Sequence, residues 1–342
     1  MNSRERFFVL LHNEQSDRPA VINPVSVVTE ESVTALGLDF SKTHLDADSA
    51  AALACYSHDV LGFDSVMPYF SVVAEAAALG AEIRWGDNLR MPSQHSLVFS
   101  QPEQVKVPAG FLDHPATRCI IDAVRIIAES RSDALVIGKA MGPWTLCLHL
   151  YGVENTLIDT IDDSEKLSDM LLALVSCTKA FTAAQLEAGA HMVTIADHCT
   201  RNLVGPAVYD NLVKPLHKEL NAEFPGKLIL HCCGNTEDRA GLFAEAGFPL
   251  YHFESANDIR NMIKLAGGMK LTGCVNNPVT LMTGGRDDVV KQVSEILQGG
   301  IDIVSPECAI PLCVPNDNLR AIVDCCEGHR RELSQNYRCS TI

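Results

Sequence analysis

The stretch Leu228-Ile229-Leu230-His231-Cys232-Cys233-Gly234-Asn235 runs from an apolar segment of strand character straight into a His-x-Cys pair and then into Gly-Asn. In a strand, residues two apart point to the same side, so the imidazole of His231 and the thiol of Cys233 leave the strand end together. Imidazole and thiolate are zinc ligands, and the end of a parallel strand is where α/β enzymes place their chemistry. A cysteine able to close the set follows another apolar run far downstream, Cys308 in Val304-Ser305-Pro306-Glu307-Cys308.

Working outward from this stretch, strand-like runs recur at Ala20 to Val27, Phe63 to Pro68, Ala134 to Gly138, His191 to Ala196, Lys227 to Cys232, Pro249 to Phe253, Met269 to Cys274 and Ile301 to Val304. Helical patterns fall between most of them: Ser49 to Leu61, His114 to Glu129, Ser164 to Ala188, Pro206 to Glu223, Thr236 to Ala246, Ser255 to Leu265 and Asp287 to Gln298. Several end in a glycine stop, at Gly189, Gly247 and Gly299-Gly300, where the chain can turn back into the next strand. Strict strand-helix alternation over eight strands favours a (β/α)8 TIM barrel, with a doubly wound sheet as the alternative. The whole chain, 1–342, reads as one barrel domain. The segment 72–111 reads as an elaborated βα insertion, with a helix over Val73 to Leu79 and a hairpin near Ile83-Arg84-Trp85-Gly86-Asp87-Asn88.

A barrel puts the polar residues after each strand on one rim. Tyr69, Met141-Gly142-Pro143-Trp144, Asp197-His198, the His231/Cys233 pair, Glu254, Asn276-Asn277 and Cys308 follow successive strands from the second to the eighth. His231, Cys233 and Cys308 then become neighbours around one mouth. Three protein ligands leave a fourth position for a substrate. Zinc bearing two thiolates carries little net charge. It activates water poorly but can hold a substrate thiol as thiolate at neutral pH, which favours alkyl transfer to sulfur over hydrolysis. The plainer reading is a partly buried histidine beside core cysteines. Cys232 alternates with the pair and reads as a core thiol, and Cys313 is a rival third ligand.

Glu254 reads either as a rim acid that caps the following helix or as a fourth metal ligand that a substrate thiol displaces. Asp197 and His198 read as substrate-orienting groups, or as a carboxylate supporting a base, against the plain alternative of a loop start. His252 faces the barrel layer or the helix shell. Tyr69, Trp144 and Asn276 are candidate substrate-binding residues at the mouth. No GxGxxG follows a strand and no GxSxG occurs, so nucleotide-dependent and serine-hydrolase chemistry have no support.

With 27 Lys+Arg against 43 Asp+Glu, the net charge is −16, a poor match for nucleic acid or an anionic membrane surface. No apolar run reads as a bilayer span, and the charged start Met1-Asn2-Ser3-Arg4-Glu5-Arg6 does not resemble a signal peptide. Thirteen cysteines, an odd number and scattered, suit a reducing cytoplasm.

Gly138 to Leu146 resembles the Gly-x-x-x-Gly-Pro-[Phe/Trp]-Thr signature of the uroporphyrinogen decarboxylase superfamily. Arg4-Glu5-Arg6-Phe7, Asp17-Arg18-Pro19-Ala20, Ile195-Ala196-Asp197 and Thr272-Gly273-Cys274-Val275-Asn276-Asn277-Pro278 are similar to it as well. The resemblance spans essentially the whole chain and implies the same barrel. True decarboxylases carry arginines after the first strand. Here that position reads Pro24-Val25-Ser26-Val27-Val28-Thr29, and Ser71 stands near where the decarboxylases place an aspartate. A highly carboxylated tetrapyrrole would be left poorly paired.

The pattern is similar to the zinc-dependent, corrinoid-linked methyltransferases of that superfamily, such as methylcobamide:coenzyme M methyltransferases. For this chain, that resemblance implies Zn2+ on His231, Cys233 and Cys308, with Glu254 as the exchangeable ligand. It implies methyl transfer between a methylcorrinoid on a separate corrinoid-binding protein and a small thiol such as coenzyme M. No Asp-x-His-x-x-Gly corrinoid motif occurs in the chain itself. Cys232 and Cys313 are extra to the pattern, and Ser255 stands where an acid is common. Transfer from a methoxy, methylamine or halomethane donor to Co(I), a metal-free decarboxylase-type lyase, and a zinc-storing or corrinoid-handling accessory barrel are the other readings.

Overall fold

The structure, a computed structural model, describes the backbone of residues 1–339, with side chains through His329 of the last helix. Eight parallel strands form one ring. They are β1 (Ala20–Val21), β2 (Ser65–Val66), β3 (Leu135–Met141), β4 (Met192–Ala196), β5 (Leu228–His231), β6 (Leu250–Phe253), β7 (Lys270–Val275) and β8 (Ile303–Pro306). Their order is β1-β8-β7-β6-β5-β4-β3-β2, so from β2 onward each strand pairs with the next and β8 returns to β1. This is the (β/α)8 barrel expected from the alternation.

The strands are apolar because they are covered on both sides, by the barrel axis and by the helices. Every residue of β3, β4, β5 and β6 is buried. The register Ala196↔His231↔His252 puts two histidines side by side, and their rings lie 4.6 Å apart.

The ring is weakest between β1 and β2. The ladder there is replaced by single bonds, Asp64 N to Val21 O (2.6 Å) and Asn23 N to Ser65 Oγ (3.0 Å). Side chains reinforce this seam at the end of the barrel away from the rim. The buried Asp64 carboxylate accepts from Arg6 Nη1 (2.6 Å), Arg18 Nη1 (2.9 Å) and Val21 N (2.8 Å).

The expected helices form, with edges set by caps. Ala47–Asp59 starts at Asp46, whose side chain accepts from Ser49 N, and Ser164–Glu187 starts at Asp163. The stops at Gly189, Gly247 and Gly300 occur with φ of +110°, +90° and +98°. Other segments depart from the expectation. Pro206 to Glu223 is broken by a π turn at Tyr209–Val213. Ser255 to Leu265 shrinks to Ile259–Leu265, because Asp258 provides the cap and frees Ser255 and Asn257 for other bonds. The 24-residue helix Asn316–Cys339 was not among the patterns singled out.

Within 72–111 the chain forms the short helix Ala74–Ala78 and an antiparallel pair, Ile83–Arg84 with Ser93–Gln94. Ser164–Glu187 is long and apolar enough to cross a membrane by length and composition. In this fold it lies on the barrel, with Leu167, Leu171, Leu174 and Phe181 buried.

Candidate metal centre and its cavity

His231 closes β5, and the next two residues carry the chain over the rim. Its Nε2 lies 3.0 Å from Cys233 Sγ and 3.7 Å from Cys308 Sγ, and the two sulfurs are 3.6 Å apart. All three donor atoms fall within 4.8 Å of one another. Tetrahedral zinc with bonds of about 2.3 Å to sulfur and about 2.05 Å to nitrogen needs donors about 3.8 Å (S to S) and about 3.6 Å (N to S) apart. Two of the three separations already match within about 0.2 Å, and the His231–Cys233 contact must open by about 0.6 Å. The donor set therefore fits a metal ion of this kind.

The second half of the site is held by a frame of side chains. Gly234 follows Cys233 with φ +78°, and a Cβ there would stand 2.5 Å from Thr200 Oγ1, so only glycine makes this turn without displacing Thr200. Cys308 is held through its neighbour. The Glu307 carboxylate accepts from Ser255 N (3.0 Å) and Asn277 N (2.9 Å), and Asn23 Nδ2 donates to Cys308 O (3.1 Å). Ser255 Oγ also donates to Glu307 Oε2 (2.5 Å), a bond that a carboxylate side chain at this position would not make.

The two sulfurs lie within hydrogen-bond reach of each other. Cys308 is drawn well below the usual thiol range by the Cys233 hydrogen bond, with further help from His231, while the same bond and burial push Cys233 up. Glu254 reaches this pair from β6. Burial raises its carboxyl, while bonds from Gly234 N–H and the Cys233 thiol oppose the rise. It stands at the Cys233 side of the cluster, outside the three-donor set. Cys313 is exposed and also outside that set, and Cys232 is buried.

A cavity of about 620 Å3 opens onto the cluster, within the size range of small-molecule sites. Its wall is mostly apolar, with Val25, Phe70, Met141 and Leu148 among the lining residues, and His231, Cys233 and Cys308 at one side. Asp197 and His198 also line it. Asp197 is fully engaged: Oδ1 accepts from Thr145 N (2.7 Å), and Oδ2 lies 2.9 Å from His217 Nε2, whose Nδ1 lies 3.0 Å from Tyr209 Oη. This explains Gly142-Pro143-Trp144-Thr145. Asp197 caps the helix Pro143–Leu150 from the next strand, and a Cβ on Gly142 would come within 2.2 Å of its carboxyl carbon. His198 N donates to Thr145 Oγ1 (2.8 Å), and burial lowers its imidazole pKa.

Three expected substrate-binding residues are not brought to the cavity surface. Trp144 is fully buried on the first turn of its helix. Tyr69 is buried beneath the cavity, its hydroxyl bonded to Glu75. Asn276 caps the π turn Asn277–Leu281 through Val279 N (2.7 Å) and reaches Ser255 Oγ (2.9 Å).

Residues 2–329 match the model of the uroporphyrinogen decarboxylase (URO-D) family. The chain belongs to that family. Among its relatives is a methylcobamide:CoM methyltransferase MtbA of Methanosarcina acetivorans, 26% identical over 334 residues (96% of this chain, 98% of the relative). A methylated-thiol–coenzyme M methyltransferase of Methanosarcina mazei is 26% identical over 307 residues (89% and 83%). A solved methyltransferase from Methanosarcina mazei superposes with a TM-score of 0.92 at 25% identity, over 98% of this chain and 99% of that one.

Within this URO-D fold, the sequence left one charged cavity residue without a role. Lys139 lies in the interior of β3, 1% exposed, and lines the cavity. Its Nζ donates to Ser71 O (2.8 Å) and sits 4.3 Å from the centre of the Tyr69 ring. Burial pulls it down to about 8, against the charges of Glu75, Cys308 and Cys233. The signal was present, because a lone cation in Leu135-Val136-Ile137-Gly138-Lys139-Ala140-Met141 must face something polar.

Proposed function

We infer that this chain is a zinc-dependent methyltransferase that moves a methyl group between a corrinoid carried by a partner protein and a small thiol of the coenzyme M kind. The observation that carries this reading is the His231-Cys233-Cys308 set at the wall of a small-molecule cavity, in a URO-D family chain whose relatives bear methylcobamide:CoM methyltransferase names. Zinc held by His231 Nε2 and the two sulfurs would supply the charge that keeps an acceptor thiol deprotonated at neutral pH.

The protein's own residues do the rest. Glu254, just after β6 on the Cys233 side of the set, would be the group that yields when the acceptor's sulfur arrives. Glu307, Ser255 and Asn277 fix the Cys308 arm, so the donors meet the metal with little rearrangement. Asp197 and Gly142 hold the opposite wall in register, a positioning task, while the apolar lining excludes water from the reacting sulfur. The sulfur attacks the methyl carbon, and the carbon–cobalt electron pair leaves with cobalt, giving thioether and Co(I). The partner presents its corrinoid over the rim, since the chain has no corrinoid motif of its own.

Among the described residues, the cavity lining includes no arginine, which disfavours decarboxylation of a polycarboxylate. We place the protein in the cytoplasm, where its twelve described free thiols stay reduced.

The test is the metal content of the purified protein and of His231→Ala and Cys308→Ala, beside methyl transfer from methylcobalamin to thiols. The expected result is one zinc per chain in wild type, lost in both variants together with turnover. A folded, reduced wild type that takes up no zinc from excess metal would sink the reading.

A further inference from the structure

Lys139 and the donor set face one cavity from two strands apart. Strand β3 places Lys139 on the axis side, whereas a Cβ on Gly138 would meet Gln185 of the outer helix at 2.7 Å. The ammonium has three N–H donors. One goes to Ser71 O, and one face of the group rests on the Tyr69 ring. Among the described residues, no carboxylate forms an ion pair with it, although Lys139 is almost wholly buried. Glu75, the carboxylate below it, is already committed, with Oε1 to Met141 N (2.8 Å) and Oε2 to the Tyr69 hydroxyl. Asp197, the carboxylate lining the cavity, is likewise committed on both oxygens.

A buried cation with no ion-paired carboxylate is costly, and the cost falls if a ligand brings a paired anion. The other negative charges near Lys139 are the thiolates of Cys233 and Cys308, and a bound metal would claim those. Among the described residues, no second lysine and no arginine lines the cavity, so Lys139 is the fixed positive charge that a ligand there would meet.

We infer that Lys139 is the specificity-determining residue for the acceptor, anchoring a small anionic group, a sulfonate or carboxylate, at the far end of the thiol. The inference rests on the methyl-transfer reading of the same cavity. The sulfur is fixed at the His231-Cys233-Cys308 set and the anion at Lys139, which orients the nucleophile at both ends. Backbones two strands apart are separated by about 10 Å. Side chains reaching in from both sides narrow this to the span of a short thiol.

The experiment measures binding to the metal-loaded protein by calorimetry with three probes: 2-mercaptoethanesulfonate, 3-mercaptopropionate and uncharged 2-mercaptoethanol. Wild type should prefer at least one anionic thiol over 2-mercaptoethanol by about tenfold or more, the effect of one charge-assisted hydrogen bond. The two anionic arms tell sulfonate from carboxylate. Lys139→Gln should erase that preference while leaving 2-mercaptoethanol binding within about twofold, and Lys139→Arg should keep part of it.

No preference in wild type overturns the inference without any variant, and so does a preference that survives in Lys139→Gln. If no thiol of any kind binds, the methyl-transfer reading is at fault. Ethanesulfonate, which lacks the thiol, then tests Lys139 alone. Binding to wild type and not to Lys139→Gln supports the anion site, and no binding to wild type overturns it.

Discussion

Replacing Cys308 by alanine removes one of three donors whose separations, 3.6, 3.0 and 3.7 Å, are already close to a tetrahedral zinc site. The size of the effect follows from chain length and linkage. Unfolding entropy near 2.1 cal/mol/K per residue over 342 residues gives about 0.7 kcal/mol/K. Zinc at 1,000 times its dissociation constant adds about 4.1 kcal/mol to the folded state. Loaded wild type should therefore melt about 6 °C above metal-free protein. In Cys308→Ala the shift should fall to about 2 °C or less, because two donors cannot hold the ion with comparable affinity. Cys313→Ala is the control, since that thiol is exposed and outside the set, and it should keep the full shift. Differential scanning calorimetry with and without zinc, beside metal analysis, reads both numbers. Full zinc content and the full shift in Cys308→Ala, or their loss in Cys313→Ala, would refute the assignment of the third ligand.

Three further outcomes follow from particular contacts. Gly142→Ala drives a methyl group into the Asp197 carboxyl at 2.2 Å and should cost about 2 kcal/mol or more, about 3 °C in Tm; an unchanged Tm would mean that the wall yields freely. Asp64→Ala strands Arg6 and Arg18 at the β1–β2 seam and should cost about 3–5 kcal/mol in urea unfolding while zinc content stays at the wild-type level. His44 is held at about 4 by burial, with Lys139 adding to the effect, against an ordinary value of 6.5. The unfolded chain therefore takes up a proton that the fold refuses, so stability present above pH 6.5 is lost as the pH falls toward 4. The loss is about 3 kcal/mol, and His44→Phe should flatten that part of the profile. Parallel urea midpoints for the two proteins at pH 7 and pH 4.5 would refute it.

The barrel was legible because eight apolar runs, most of them feeding a helix and several of those helices ending in a glycine stop, leave little other topology open. The His231-Cys233-Cys308 cluster was legible for a related reason. Histidine and cysteine at the ends of buried strands are unusual residue types in positions where side chains converge. The parts that escaped depend on partners rather than on residue type. The seam between β1 and β2 is made of side-chain bonds from Asp64 and Ser65, so Ala20 to Val27 read as a full strand although only Ala20–Val21 pairs. The helix Asn316–Cys339 escaped because charged residues dilute it, although Leu319, Ile322, Val323 and Cys326 keep helical spacing and are buried.

Trp144 and Tyr69 looked like cavity walls because they follow strands, but both rings pack inward where apolar area is covered. Lys139 is the instructive reverse. Its charge suggests a rim or surface position, while its place one residue after Gly138 and two before Met141 puts it on the barrel axis. Strand parity, applied to the one charged residue in an apolar strand, identifies a side chain that lines the cavity. Residue type alone assigned that role to aromatics that face the core.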